Sequence, residues 1–226
     1  MKRCTHTRQL FLIGSLACAA LPRAALAAGK GAGVSPEAAL ARLARGNKTY
    51  VREMIGSRVN TIEERAQLGN GQAPWASILT CADSRTAPEI LFNQGLGDIF
   101  VARVAGNIPA SAEIASLEYA SAVLGSHLIV VMGHSACGAV KAAIDYSKGE
   151  SMPSEDLTTL VQAIQPAVKR AKTMHGDLLV NAIKANAVIG AEKLRSNAVL
   201  SSLREKHDLK IVPAYVDLAT GKVTWL

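Results

Sequence analysis

The sequence predicts an α/β fold with a mostly parallel central β-sheet flanked by helices. Short apolar runs with β-branched content recur along the chain: "WASILTC" from Trp75, "DIFVARVAG" from Asp98 and "HLIVVMG" from His127. Stretches of helical spacing stand between and after them, and that alternation marks βαβ units. The chain has 226 residues, 49% of them hydrophobic, which is enough for one substantial core and excludes a disordered or fibrous class.

Each element has a local reason. "SPEAALARLARGNKTYVREM" starts a helix with Ser35 as N-cap, Pro36 in the first turn and Glu37 next to it. "TIEERAQL" is a second, polar helical piece that stops at "GNG". The runs "WASILTC" and "DIFVARVAG" read as buried strands. "PASAEIASLEYASAVLG" is a helix between Pro109 and Gly125. "HLIVVMG" is the third strand and "CGAVKAAIDY" the helix after it. Residues 154–206 carry a helical pattern broken near 175–177, "HGD". The final "LKIVPAYVDLATGKVTWL" reads as two strands around a turn at Thr220-Gly221.

Residues 1–27 have a different character. Lys2, Arg3 and Arg8 precede the apolar "LFLIGSLACAALP", and Ala25-Leu26-Ala27 matches a small-residue cleavage signal. That layout is an export signal that would be removed, leaving a single domain over 28–226 in the periplasm. Arg23 interrupts the apolar run too early for a membrane span, so no membrane is expected in the mature form. Removal of Lys2, Arg3, Arg8 and Arg23 takes the net charge from +7 to +3. A charge that mild, with no Lys/Arg patch interleaved with aromatics, argues against nucleic acid as a partner. Removal also leaves two cysteines, Cys81 and Cys137.

The chemistry lies in "TCADSR" (80–85) and "GHSACG" (133–138). Cys81 ends one strand, His134 ends another, and Cys137 stands at a helix start. In a parallel sheet, sites form beyond the carboxyl ends of strands. Two thiolates and an imidazole suit zinc, and three protein ligands leave the fourth position open, as in catalytic sites. A helix N-terminus lowers the pKa of a thiol, which favours a Cys137 thiolate. Asp83 is near enough in sequence to be a fourth ligand or to accept a hydrogen bond from a water on the metal, and Arg85 can hold it off the metal in a bidentate pair. Rival readings use the same residues. Cys81 and Cys137 could form a disulfide, or a structural zinc site. "GHSAC" is one residue from a nucleophile elbow, which would make Ser135 the nucleophile with Asp177 and His207. His127 reads as a packed edge residue, and Trp75 and Trp225 as packing at strand edges.

"CADSR" followed by "HSAC" resembles the β-class carbonic anhydrases, as do "GQAP" (71–74), "GDIFVARVAGN" (97–107) and "AYVDLATGKV" near the end. The resemblance covers roughly residues 38–226. It implies reversible hydration of carbon dioxide to bicarbonate and a proton by zinc-bound hydroxide, a lyase activity. It implies one Zn²⁺ per chain on Cys81, His134 and Cys137, with Asp83 and Arg85 as a catalytic dyad. Gln72 matches a substrate-binding glutamine, and Gly138 is a second candidate substrate position. The implied assembly is a homodimer or homotetramer with the pocket at the subunit interface. Val104 stands where the family often has Asn. Hydrolases of carbonyl sulfide or carbon disulfide resemble this family and remain an alternative.

Overall fold

Ser35 and Thr61 open the first two helices with their side chains. In the computed structural model, which describes residues 33–53, 61–206 and 208–226, α1 spans Pro36–Val51 and the Ser35 hydroxyl accepts the N–H of Ala38. α2 spans Ile62–Leu68 and carries a full capping box between Thr61 and Glu64. Such caps satisfy helix-end N–H groups that have no partner within the helix. The proposed signal segment, 1–27, and His207 lie outside the described residues.

The strands are β1 (Ala76–Thr80), β2 (Ile99–Arg103), β3 (Leu128–His134), β4 (Lys210–Val216) and β5 (Val223–Trp225). Among the described residues they form one sheet in the order β2-β1-β3-β4-β5. The first four are parallel and β5 runs antiparallel to β4. β1 and β3 are buried at every position, which explains their near-continuous apolar sequence. The chain steps from β1 to β2 on one side and returns to β3 on the other. The crevice between β1 and β3 is therefore the switch point at which α/β sheets bind ligands.

Alternate side chains divide the core into two layers. Ile78, Val130, Met132 and Ala214 pack with Leu43 of α1 and with Phe92, which stacks on Trp225 at 6.2 Å. Leu79, Ile129 and Val131 face the opposite way, against Ala187, Ala191 and Leu194. Those residues belong to α7 (Leu178–Arg195). α5 (Gly138–Tyr146) and α6 (Glu155–Ala171) pack with α7 over Cys81 and Cys137. Trp75 is buried at the start of β1 beneath the Arg42 guanidinium. His127 Nδ1 donates to the Asp208 carbonyl at the sheet's amino end, an edge role.

Three local features depart from the sequence reading. A short helix, α3 (Pro88–Leu91), follows the "CADSR" loop, with Pro88 in its first turn. The helix after Pro109 is α-helical only over α4, Ser111–Glu118, and continues as a π-helical segment, Tyr119–Val123. The 154–206 stretch breaks twice, because Asn197 caps a separate helix, α8 (Ala198–Glu205), by accepting from Val199 and Leu200. The Asn cap was a readable signal there.

Candidate metal centre

Parallel pairing carries β1 and β3 to the same end of the sheet, where Cys81 follows Thr80 and His134 closes β3. The chain after β3 turns through Ala136, which has φ +55°, and places Cys137 as N-cap of α5. The ligand atoms of Cys81, His134 and Cys137 all lie within 4.8 Å of one another, and all three residues are buried. His134 Nδ1 donates to the Ser135 carbonyl at 2.9 Å, which leaves Nε2 as the lone-pair nitrogen. That Nε2 is buried with no hydrogen-bond partner. A buried unpaired nitrogen is costly, and a metal ion is the partner that two sulfurs and an imidazole would share. The donor set and spacing fit Zn²⁺, whose bonds to S and N run about 2.0–2.3 Å.

Asp83 stands at the edge of this cluster. Its Oδ2 is 3.8 Å from His134 Nε2. Arg85 holds both oxygens, Nε to Oδ1 at 2.9 Å and Nη2 to Oδ2 at 2.7 Å, and its backbone N–H also donates to Oδ1. The guanidinium beside it holds the Asp83 carboxyl well below the usual carboxylate range. Its oxygens are turned to Arg85 and are not among the clustered donors.

The two thiols divide their protons unequally. The Cys137 thiol donates to Cys81, which pulls the Cys81 pKa down to about 4 against burial, with help from His134 and the N–H groups of Gly106 and Asp83. Cys137 moves the opposite way: its neighbour Cys81 and then burial raise its pKa. The helix N-terminus does act on Cys137, through the N–H groups of Val140 and Ala139, but those two outweigh it. The hydrogen bond between the two sulfurs thus lowers Cys81 and raises Cys137, the reverse of what the helix start alone suggests for Cys137. Burial pushes the His134 imidazole down, and the Cys81 sulfur beside it outweighs that and raises it.

Several residues around the site escaped the sequence reading. Arg103, the last residue of β2, donates from Nε to the Cys81 carbonyl (3.0 Å) and from Nη2 to the Asp83 carbonyl and to Thr86 Oγ1. Thr86 is fully buried and its hydroxyl lies within bonding distance of the same two carbonyls. The loop that carries Cys81, Asp83 and Arg85 is thus pinned from two sides. Gly106 donates its N–H to Cys81 Sγ at 3.3 Å. Val104, in place of the frequent Asn, continues the ladder through its backbone to Thr80 and Ala82.

Gln72 does not join the cluster within the chain. It lies exposed before β1, in a groove of about 360 Å³ with Arg65, Leu68, Leu96 and Gly97, and none of the clustered residues lines that groove. β1 separates Gln72 from Cys81, and its five residues alone span about 16 Å. Gly138 is the exposed first residue of α5, and a Cβ there would meet nothing within 4 Å, so its contribution is its backbone. The serine-nucleophile reading loses its parts: Ser135 Oγ accepts the Leu218 N–H, and the Asp177 carboxylate caps α7. Both site cysteines are free thiols, so they are not joined as a disulfide.

A parallel α/β sheet with a buried Cys-His-Cys cluster at its switch point defines a metalloenzyme built on strand ends. The chain belongs to the carbonic anhydrase family, whose model matches residues 76–223. It is 36% identical to a carbonic anhydrase of Mycolicibacterium smegmatis over 84% of this chain and 92% of that one. It is 43% identical to carbonic anhydrase 2 of Mycobacterium tuberculosis over 59% of this chain, a match that spans 65% of the relative's length. Its fold is that of a tetrameric β-carbonic anhydrase of Sordaria macrospora (TM-score 0.66, 22% identity, 80% of this chain and 93% of that one).

Proposed function

We propose that this chain interconverts carbon dioxide and bicarbonate, with Zn²⁺ held by Cys81, His134 and Cys137. One observation carries the reading: the buried trio has an orphaned imidazole nitrogen facing a carboxylate that Arg85 keeps for itself. Bound zinc supplies Lewis acidity, enough to bring the ionisation of water down to about pH 7. The protein's own residues set the direction of attack. Asp83 Oδ2 accepts the O–H hydrogen of the attacking water and turns its lone pair to the carbon of carbon dioxide. Arg85 keeps that carboxylate charged and away from the metal. The product is bicarbonate, and the proton leaves to buffer. Stopped-flow hydration of carbon dioxide should be fast, lost on chelation and restored by zinc at about one ion per chain. Full activity in metal-free protein would overturn the reading, and turnover of carbon disulfide in place of carbon dioxide would move it to the related hydrolases.

The working unit in this reading is a homodimer, and a tetramer is a pair of such dimers. Gln72 lies at the opposite end of β1 from Cys81, so it can serve a pocket only in a second copy. Light scattering should give a dimer or tetramer mass, and Gln72→Ala should raise KM. A fully active monomer rules out the shared pocket. Residues 1–27 act as an export signal on the basis of their charge and apolar pattern, which puts the 28–226 domain in the periplasm. The mass of the protein from the periplasmic fraction should correspond to a chain starting at Ala28; a chain of full length in the cytoplasm refutes it.

A further inference from the structure

On the reading that Cys81 is a metal ligand, we propose that Asn186 of α7 is a positioning residue for that ligand, acting through the backbone of Gly106. Asn186 is 5% exposed on a helix face that otherwise buries alanine, isoleucine and leucine. A buried amide is unfavourable unless it is hydrogen-bonded. Its Nδ2 donates to the Gly106 carbonyl at 2.7 Å, across eighty residues of sequence. The N–H of the same Gly106 donates to Cys81 Sγ at 3.3 Å. One peptide plane therefore lies on each side of Gly106, one fixed by α7 and the other aimed at the sulfur.

Gly106 has no freedom to find that direction another way. Its φ is +72°, a region that favours glycine, and a Cβ would come within 2.7 Å of Ile164 Cδ1 and 3.3 Å of Ala139 Cβ. It is buried between α5 and α6, with Asn186 holding its carbonyl. An N–H donated to a thiolate fixes the sulfur's lone pairs and withdraws charge from it, and outer-shell contacts of this kind tune metal affinity. The plainer possibility is that Asn186 only satisfies a buried carbonyl. The two differ in what happens at the metal.

Asn47 supplies the matched control. It is a buried asparagine, 6% exposed, that joins α1 to Leu91, Gly221 and Val223, on the other face of the sheet. Zinc affinity would be measured by competition with a chelating indicator, and the cysteine-to-cobalt charge-transfer band by absorbance of protein loaded with Co²⁺. Asn186→Leu and the milder Asn186→Ser are expected to bind zinc at least about tenfold more weakly and to shift the cobalt band. Asn47→Leu should lower Tm and leave both unchanged. Asn186 variants with wild-type zinc affinity and an unmoved band overturn the inference, as does an Asn47 variant that shifts both equally. A wild-type chain that binds neither ion overturns the proposed function and this inference with it.

Discussion

Two polar regions on opposite faces of the sheet show what a satisfied network does and what an unsatisfied one does. Around Asn47 every partner is paired: Nδ2 bonds the carbonyls of Leu91 and Gly221, and Oδ1 accepts the Val223 N–H. The neighbouring Gly46 lets α1 close on Phe92, where a Cβ would meet the carbonyl oxygen at 1.7 Å. That clasp ties the first helix to the last strand and leaves nothing over. Around Cys81 the backbone is held by Arg103 and Thr86, and the sulfur accepts the Gly106 N–H. Yet three donor atoms are left facing one another, one of them an imidazole nitrogen with no partner. Two sulfurs and an unpaired imidazole nitrogen converging on one buried point form the arrangement that a bound metal ion would complete.

Cys137→Ser should remove zinc and all activity above background, read by metal analysis and stopped flow; an active variant with bound zinc would contradict the ligand set. Asp83→Asn should keep zinc but lose about 10²-fold in kcat, the usual size of a proton-handling contribution. If kcat is unchanged, Asp83 and Arg85 are only a surface ion pair. Arg103→Ala should weaken zinc binding or activity about tenfold by freeing the loop, an outer-shell effect. No change in either would leave Thr86 as the group that pins the loop.

A pH experiment tests the thiol pair directly. In chelated protein, Cys81 has a folded pKa of about 4, depressed from an ordinary thiol value of 9.0. A depressed acid stabilises the fold fully above its unfolded pKa, and that stability fades as pH falls towards the folded value. Ultraviolet thiolate absorbance should therefore persist at pH 6 and disappear around pH 4, and Cys81→Ser should remove it. Absorbance that appears only near pH 9 would show that the pair does not share a proton. Asn47→Leu has the smallest effect on activity, none, while unfolding at lower denaturant by about 1–3 kcal/mol, the range for a buried group left unpaired. Lost activity at unchanged stability would erase the distinction between the two regions.

The three clustered donors were legible because soft donor types at strand ends have few other uses, and "CADSR" and "HSAC" hold them, with Asp83 and Arg85, at fixed local spacing. The strands were legible because β1 and β3 are buried on both faces and so read as unbroken apolar runs. Arg103, Thr86 and Asn186 were not, since an arginine ending a strand or an asparagine within a helix looks the same whether it faces solvent or a carbonyl. Gln72 stands just upstream of "CADSR" in sequence, and the direction of β1 carries it to the opposite end of the sheet from Cys81, a separation that no local pattern encodes.

The α/β class, the cap at Ser35, the starts of α1 and α5 and the identity of the donor atoms follow from the amino-acid sequence alone, because these depend on side-chain chemistry and on contacts a few residues apart. Long-range packing brought the two cysteine sulfurs into hydrogen-bonding contact, gave both oxygens of Asp83 to Arg85, and carried α7 to Gly106 behind the Cys81 sulfur. Those outcomes depend on distances of a few ångströms between groups far apart in the chain. Parallel strand pairing sets such distances, and no local pattern encodes them.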